Sequence, residues 1–398
     1  MPNSILTPTA VTREALRILH QKLNFVGRIK RDYDDSFAKT GAKIGDSLKI
    51  RLPNEYTVRT GATLSAQDTS EISTTLQVAT QKGVDMNFTS VDLTLSLDDF
   101  SKRILDPAMS VLAANIESDA LNMMLDVYNN VNNIGSTITF KRLMESRKVL
   151  NDNLAPMDND RTVLLNTNDN VDLVDALKGL FQDSTAIKEQ YREGSMGRTG
   201  GYDFYENTLI GNQVTGTALT ATTYTVNGAV TTNGSTSVVV ATGATTFKKG
   251  DIITFVGCNR VHPETKADTG VLQQFVVTAD YSGGAGTLNF APAIYTSGGR
   301  QNVVAAGIAN GVAIAKVGGA SAIYKPSLAF HKDAFAFATA DLIMPGGVDF
   351  ASRQVLDGIS MRIVRQYDIN NDKFPCRLDV LYGYKTIRPQ LACRILSN

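Results

Sequence analysis

The sequence predicts a mixed α+β chain interrupted by an all-β module, and three observations carry that reading. Apolar residues recur at three- and four-residue steps in some stretches and at two-residue steps in others, on both sides of a central region. That region is set apart by charge: no charged residue occurs from Asn207 to Phe247, and 212–322 holds only ten (Lys248, Lys249, Asp251, Arg260, Glu264, Lys266, Asp268, Asp280, Arg300 and Lys316). At 398 residues the chain also exceeds what one hydrophobic core organises, since domains run about 100–200 residues, so two or three structural units are expected.

The elements follow in order. Residues 10–31 place Leu16, Leu19, Leu23 and Val26 at helical steps among Arg and Lys, which predicts an amphipathic basic helix. Leu48, Ile50 and Leu52 alternate with Lys49 and Arg51, and Thr74, Leu76 and Val78 alternate again after a Gly/Ser/Thr-rich stretch. Two strands joined by a long polar excursion are expected, and such a hairpin has too little core to order itself without a neighbour. A further period-two run covers Val91, Leu93, Leu95 and Leu97. Asp106-Pro107 supplies a helix cap and a first-turn proline. From there Met109, Leu112, Ile116, Ala120, Met123, Val127 and Val131 predict one solitary helix of about 24 residues, roughly 36 Å.

Residues 139–150 predict a second amphipathic helix, Thr162 to Asn166 a buried strand, and Val171 to Phe181 a third helix with Leu173, Leu177 and Leu180 on one side. Within 212–322, short Val/Thr/Tyr runs are punctuated by Asn227-Gly228, Asn233-Gly234 and Gly283-Gly284, the signature of tight hairpins in a small barrel or sandwich. Beyond it a helix-like stretch covers His331 to Ala340, and Leu378, Val380, Tyr382 and Tyr384 mark a final strand. The β module therefore reads as an insertion in a larger α+β unit.

Charge and motif content exclude several functions. Lys plus Arg equals Asp plus Glu at 39 each, so no overall basic field drives phosphate binding. Residues 1–51 nevertheless carry ten basic against five acidic side chains. They include Phe25, Tyr33 and Phe37 without a repeated aromatic and basic spacing for base stacking, which leaves non-specific contact with phosphate or an acidic partner. The three cysteines, Cys258, Cys376 and Cys393, are odd in number and unpaired in spacing, so reduced buried thiols in a cytoplasmic setting are expected. The N-terminus lacks the charge and apolar pattern of a signal peptide. Val303 to Val317 is too short and interrupted to cross a bilayer, so no transmembrane segment is expected.

Catalytic and metal chemistry is not supported. His20, His262 and His331 lie far apart, and Cys258 with His262 reads as two loop residues beside a strand. Gly194, Gly197, Gly200 and Gly201 lack the G-K-[ST] ending of a phosphate loop and read as a flexible surface loop. Asp34-Asp35 and Asp98-Asp99 are sequence neighbours that can point apart, better suited to solvated helix starts than to acid/base work. No nucleophile elbow is present. No cofactor is implied.

Three stretches go beyond generic physics: YREGSMGRTGGYDFYENTLI (191–210), FKKGDIITFVG (247–257) and CRLDVLYGYKTIRPQLACRI (376–395). In this order they resemble segments of the coat proteins of short-tailed double-stranded DNA bacteriophages that carry an inserted β domain. The first, with Tyr191, Arg192, Glu193 and Gly194 followed by Gly201, Tyr202 and Asp203, is similar to the loop after the third helix. The second is similar to a strand of the inserted domain. The third, with Tyr382-Gly383 and Arg388-Pro389, is similar to the terminal strand and hook.

The resemblance implies an α+β tailed-phage major capsid fold, shared with encapsulins and herpesvirus shell floors. Its parts would be an N-terminal arm (1–47), an extended β-hairpin loop (48–82), a peripheral domain with spine helix (83–138), a first axial segment (139–211), an inserted small all-β barrel (212–322) and an axial and peripheral return (323–398). It further implies an icosahedral virion capsid of hexamers and pentamers enclosing double-stranded DNA, assembled in the host bacterial cytoplasm with scaffolding protein and portal, without catalysis and without a membrane. Arg51, Glu55, Tyr56 and Arg59 of the loop are then expected at subunit contacts. Arg13, Arg17, Lys22, Arg28, Lys30 and Arg31 are expected to face scaffold or DNA. The family also implies cross-capsomer ion pairs from the insert, which in this sequence is poor in charge. An encapsulin-like compartment and a glycan- or host-surface-binding β protein are the alternative readings.

Overall fold

A computed structural model describes residues 8–31, 47–64, 66–67, 71–88, 101–177, 197–241, 243–356, 358–370 and 373–397. The chain divides into two compact units. The first comprises Met1–Arg51, Ser73–Leu121 and Phe335–Ile387, the second Leu52–Ile72, Asn122–Ala334 and Arg388–Asn398.

In the first unit, helix α1 (Pro8–Lys22) buries Val11, Ala15, Leu16, Ile18 and Leu19, the apolar stripe that the three- and four-residue spacing dictates. A 3₁₀ turn at Val26–Arg28 follows. Strands β1 (Ser47–Arg51) and β2 (Ser73–Gln77) pair antiparallel in register from Ser47 with Gln77 to Arg51 with Ser73. Strand β3 (Thr80–Phe88) leads toward 89–100, so the alternation at Val91–Leu97 lies outside the described residues.

Helix α2 (Asp106–Leu121) begins at the expected residue, although a π-helical turn at Ser101–Leu105 already precedes it. Its length corrects the expectation. The stripe residues Met109 to Val131 are buried as predicted, but the α-helix stops at Leu121, a 3₁₀ turn takes Asn122–Asp126, and Val131 belongs to strand β4 (Asn130–Asn132). Sixteen residues make about 24 Å. Burial continued at roughly helical spacing after the hydrogen-bond pattern had changed, so periodicity alone overran the helix. Nor is α2 solitary, since it packs against α1 and β3.

The sheet of this unit has β3 on one edge of the long strand β19 (Phe374–Thr386), with β16 (Phe335–Ala340) and β18 (Ile359–Arg365) sharing the other and β17 (Phe350–Leu356) beyond β18. Here 335–340, expected as helix, is a strand buried at every position. Its FAFATA sequence pairs residue by residue with Leu381 to Thr386, and burial on both faces removes the alternation that would have identified a strand. Gly83 and Gly383 are required by close approach: a Cβ at Gly83 would lie 2.4 Å from the Leu378 carbonyl oxygen, and one at Gly383 would lie 2.1 Å from that of Gln77.

The second unit contains helices α3 (Phe140–Asp152) and α4 (Thr167–Leu177) beside a mixed sheet. Thr139 caps α3 by accepting from the Arg142 N–H. The sheet runs β4, β20 (Ala392–Ser397), β15 (Ile323–His331), β5 (Arg161–Leu165), β7 (Tyr202–Glu206) and β6 (Arg198–Thr199), with β8 (Gln213–Val214) also on β15. The glycine-rich stretch expected as a flexible loop is in its described part the tight turn of the β6–β7 hairpin, with Gly200 and Gly201 at φ 60° and 82°. Such positive values favour glycine.

The outer edge of β4 is closed by a side chain. Gln274 accepts from the Asn130 backbone N–H (2.7 Å) and donates to the Asn130 carbonyl (3.1 Å), as a neighbouring strand would.

The charge-poor region forms six antiparallel strands in the order β10 (Ser235–Val240), β13 (Gly286–Ile294), β12 (Asp268–Val277), β11 (Ile252–Val261), β14 (Ala313–Lys316) and β9 (Ala221–Thr225). A bridge between Val226 and Val240 joins the two outer strands, so the sheet closes into a barrel. Phe255, Phe275 and Phe290 meet edge-to-face inside it at 5.0–5.8 Å, contacts worth about 0.5–1.5 kcal/mol each beyond burial. Cys258 lies buried within β11, not in a loop, while His262 turns the chain by accepting from the Glu264 and Thr265 N–H groups.

Candidate functional site

The four loop residues fall in different units: Arg51 ends β1, whereas Glu55, Tyr56 and Arg59 lie in the Leu52–Ile72 segment. That segment carries hydrogen bonds of its own. The Leu52 N–H donates to the Ile72 carbonyl at 2.8 Å, extending the turn of the ladder. Gln67 accepts from the Thr57 N–H (2.9 Å) and donates to its carbonyl (2.6 Å), and Arg59 donates to the Gly61 carbonyl. The Glu55 carbonyl lies so close to Gly299 that no side chain fits there. The tip nevertheless presents apolar side chains to solvent, with Val58 95% and Leu64 82% exposed and Tyr56 beside them.

The basic residues share the solvent side of the N-terminal segment, with Arg13, Arg17, Lys22 and Arg28 exposed opposite the buried stripe of α1. Arg17 pairs with Glu14 (2.6 Å) and Lys22 with Asp106 (3.2 Å). Arg31 donates to the Gly27 carbonyl, and the Lys30 backbone joins β16, donating to Phe335 O and accepting from the Phe337 N–H.

What anchors this segment was missed from sequence. Glu117, buried on α2, accepts from the backbone N–H groups of Phe25 and Val26, the latter at 3.2 Å. These are the orphan donors at the start of the 3₁₀ turn. Phe25 adds an edge-to-face contact with Phe335 at 5.4 Å.

A second anchor lies in the other unit. Arg394 on β20, fully buried, donates to Gln213 Oε1 (2.7 Å) and to the Gly250 carbonyl (3.0 Å). Beside it Asp251 accepts from the N–H groups of Lys248 (2.9 Å) and Gly216 (3.0 Å), and Lys316 donates to the Gly216 and Gly319 carbonyls. Burial pushes the Arg394 guanidinium down to about 10 and the Asp251 carboxyl up, each only partly offset by the other's charge. This network ties the last strand to both ends of the barrel. Asn166 and Asp169 form a comparable but local device, a reciprocal cap at the start of α4 that also receives the Ser327 hydroxyl. Asp169 borders a surface cleft with Ser136, Thr137 and Asp172, and its carboxylate is committed to that cap.

Among the described residues no group of three or more His, Cys, Asp or Glu could hold a metal ion, and no helix is long and apolar enough to cross a membrane. The three thiols are buried and free, and burial pushes each up to about 12. We therefore expect an aromatic disulfide reagent at pH 8 to label none of them within minutes in the folded chain and all three in guanidinium, since the thiolate is the reacting form. Rapid native labelling would contradict this burial.

The family model described as P22 coat protein, gene protein 5, matches residues 11–395. The chain belongs to the P22 coat protein family. As a coat protein of this structural family it is a major capsid protein that forms the shell of the virion, a multimeric assembly. No curated protein sequence matches it. Among solved structures it is similar to one from Mycobacterium phage Che8, at 13% identity and TM-score 0.46 over 94% of this chain and 90% of that one. It is also similar to the capsid of the cyanophage P-SCSP1u, at 10% identity and TM-score 0.42 over 90% and 84%. A virus-like particle from Pyrococcus furiosus aligns at 7% identity and TM-score 0.37 over 97% of both chains.

Proposed function

We propose that this coat protein closes, as hexamers and pentamers, into an icosahedral shell around double-stranded DNA. Assembly takes place in the host bacterial cytoplasm with a scaffolding protein and a portal, and the subunit performs no catalysis. The observation that carries the reading is the loop tip, a backbone-ordered segment that holds Val58 and Leu64 out in water, an arrangement that costs solubility unless another subunit covers it. Arg51, Glu55, Tyr56 and Arg59 flank that tip and belong to the same subunit contact. The exposed residues Arg13, Arg17, Lys22 and Arg28, with the half-buried Lys30 and Arg31, meet the acidic surface of the scaffold or DNA phosphates, a contact weakened by salt.

The test is co-expression with the scaffolding protein followed by imaging of the lysate. Closed particles are expected, and soluble monomers alone would overturn the reading. Val58→Asp with Leu64→Asp should leave the folded subunit within about 0.5 kcal/mol of the parent, as exposed substitutions do, while abolishing particles. Particle yield equal to the parent would remove the loop tip from the interface.

A further inference from the structure

We propose that the seam between the β4–β20 pair and the start of β11 is a binding site for buried water, held between Asn130, Asp251 and Arg394. The inference is independent of shell formation and concerns the interior of the second unit. Its origin is a set of polar atoms that no protein group answers. Asn130 is buried, and both ends of its side-chain amide, Oδ1 and Nδ2, have no hydrogen-bond partner among the described residues. The same holds for Asp251 Oδ1 and Arg394 Nε, on side chains that are fully buried. Leaving such atoms dry is costly, so buried polar groups are answered either by protein or by ordered water.

The fold brings these atoms together. Asn130 and Arg394 are register partners on the parallel strands β4 and β20, so their side chains leave the same face of the sheet. From that face Arg394 reaches the carbonyl of Gly250, the residue before Asp251. Asp251 spends only Oδ2 on protein donors, the N–H groups of Lys248 and Gly216. The two cations that face this carboxylate are not hydrogen-bonded to it: Arg394 donates to Gln213 Oε1 and the Gly250 carbonyl, and Lys316 donates to the Gly216 and Gly319 carbonyls. An oxygen that attracts two cations and touches neither needs a bridge.

The chemistry of the four atoms decides what bridges them. Arg394 Nε and Asn130 Nδ2 donate, whereas Asp251 Oδ1 and Asn130 Oδ1 accept. A metal cation would meet the charges of Arg394 and Lys316 and leave both donors unanswered. An anion would meet the Asp251 carboxylate and leave both acceptors unanswered. Water is neutral, donates as well as accepts, and is held in a protein interior by about two to four polar partners. Three donor hydrogens and two acceptor oxygens are on offer. Together they exceed the roughly four bonds that one water makes, so answering all of them takes two.

The experiment uses the full chain, folded and unassembled, and counts long-lived internal water by magnetic relaxation dispersion of the solvent oxygen. Asn130→Leu keeps the approximate shape of the side chain and removes both amide atoms, so it should lose about one long-lived water per chain relative to the parent. Asn130→Ser shortens the side chain but keeps a polar end, so it should hold at least as many as the parent; this variant carries the test should the leucine variant fail to fold. A density map of the parent fine enough to show ordered water should place two peaks within about 3.2 Å of the four atoms. Equal dispersion in the parent and a folded Asn130→Leu chain, or a serine variant with less internal water than the parent, would overturn the proposal. So would a map in which the Asn130 amide bonds directly to Arg394 or Asp251. Because no step requires particles, a chain that fails to assemble leaves this result readable.

Discussion

Replacing Arg394 with methionine should destabilise the second unit by about 3–5 kcal/mol, the usual result of removing one member of a buried charge network. The guanidinium serves two acceptors, Gln213 Oε1 and the Gly250 carbonyl, and both would be left dry without a donor of similar reach. Asp251 would lose one of the two cations that face it. A substitution by lysine should recover only part, because an ammonium cannot span both acceptors in a fork. The barrel core around Phe255, Phe275 and Phe290 contains none of these groups. Its amides should therefore stay protected from hydrogen exchange while the amides of β15 and β20 open. A urea transition unchanged from the parent, or barrel and sheet opening together, would refute the role assigned to Arg394.

Glu117→Ala should cost about 2–6 kcal/mol, since two buried N–H groups lose their acceptor at about 1–3 kcal/mol each. The loss should be local. Hydrogen exchange should rise first at 23–30, where Phe25 and Val26 depended on the carboxylate, and proteases should cut there before they cut the sheet. Because the basic face is carried by this segment, the variant should also form fewer particles with scaffold, even at temperatures where the rest of the unit is folded. An N-terminal segment as protected as the parent's would show that α1 packing alone holds it.

Both anchors were invisible to sequence reading, and the reason is separation. Arg394 and Gln213 stand 181 positions apart, and Glu117 and Phe25 stand 92 apart; nothing local distinguishes a buried arginine from a surface one. Local signals fared differently. The alternation at Leu48–Leu52 and Thr74–Val78 and the Asn-Gly turns describe interactions within a few residues, and each appears where the pattern placed it. The helix carrying Leu16 and Leu19 instead ends at Lys22, short of the expected 10–31, so that Leu23 lies beyond it and Val26 opens a 3₁₀ turn while both stay buried. Periodicity failed where burial is continuous. Phe335–Ala340 is enclosed on both faces, so nothing alternates, and the stripe past Leu121 stayed apolar after the helix had ended. Of the candidate site, the basic face and the projecting loop were legible because exposure follows composition. The devices that hold them were not.

The amide of Gln274 on the rim of β4 bears on a hazard peculiar to proteins that must associate. A subunit crowded against its copies gains nothing from sticking indiscriminately, and a bare sheet rim is a ready template for pairing that does not close. By answering the Asn130 N–H and carbonyl with one side chain, the molecule withdraws that rim from recruitment. Growth by strand addition is thereby discouraged at this rim.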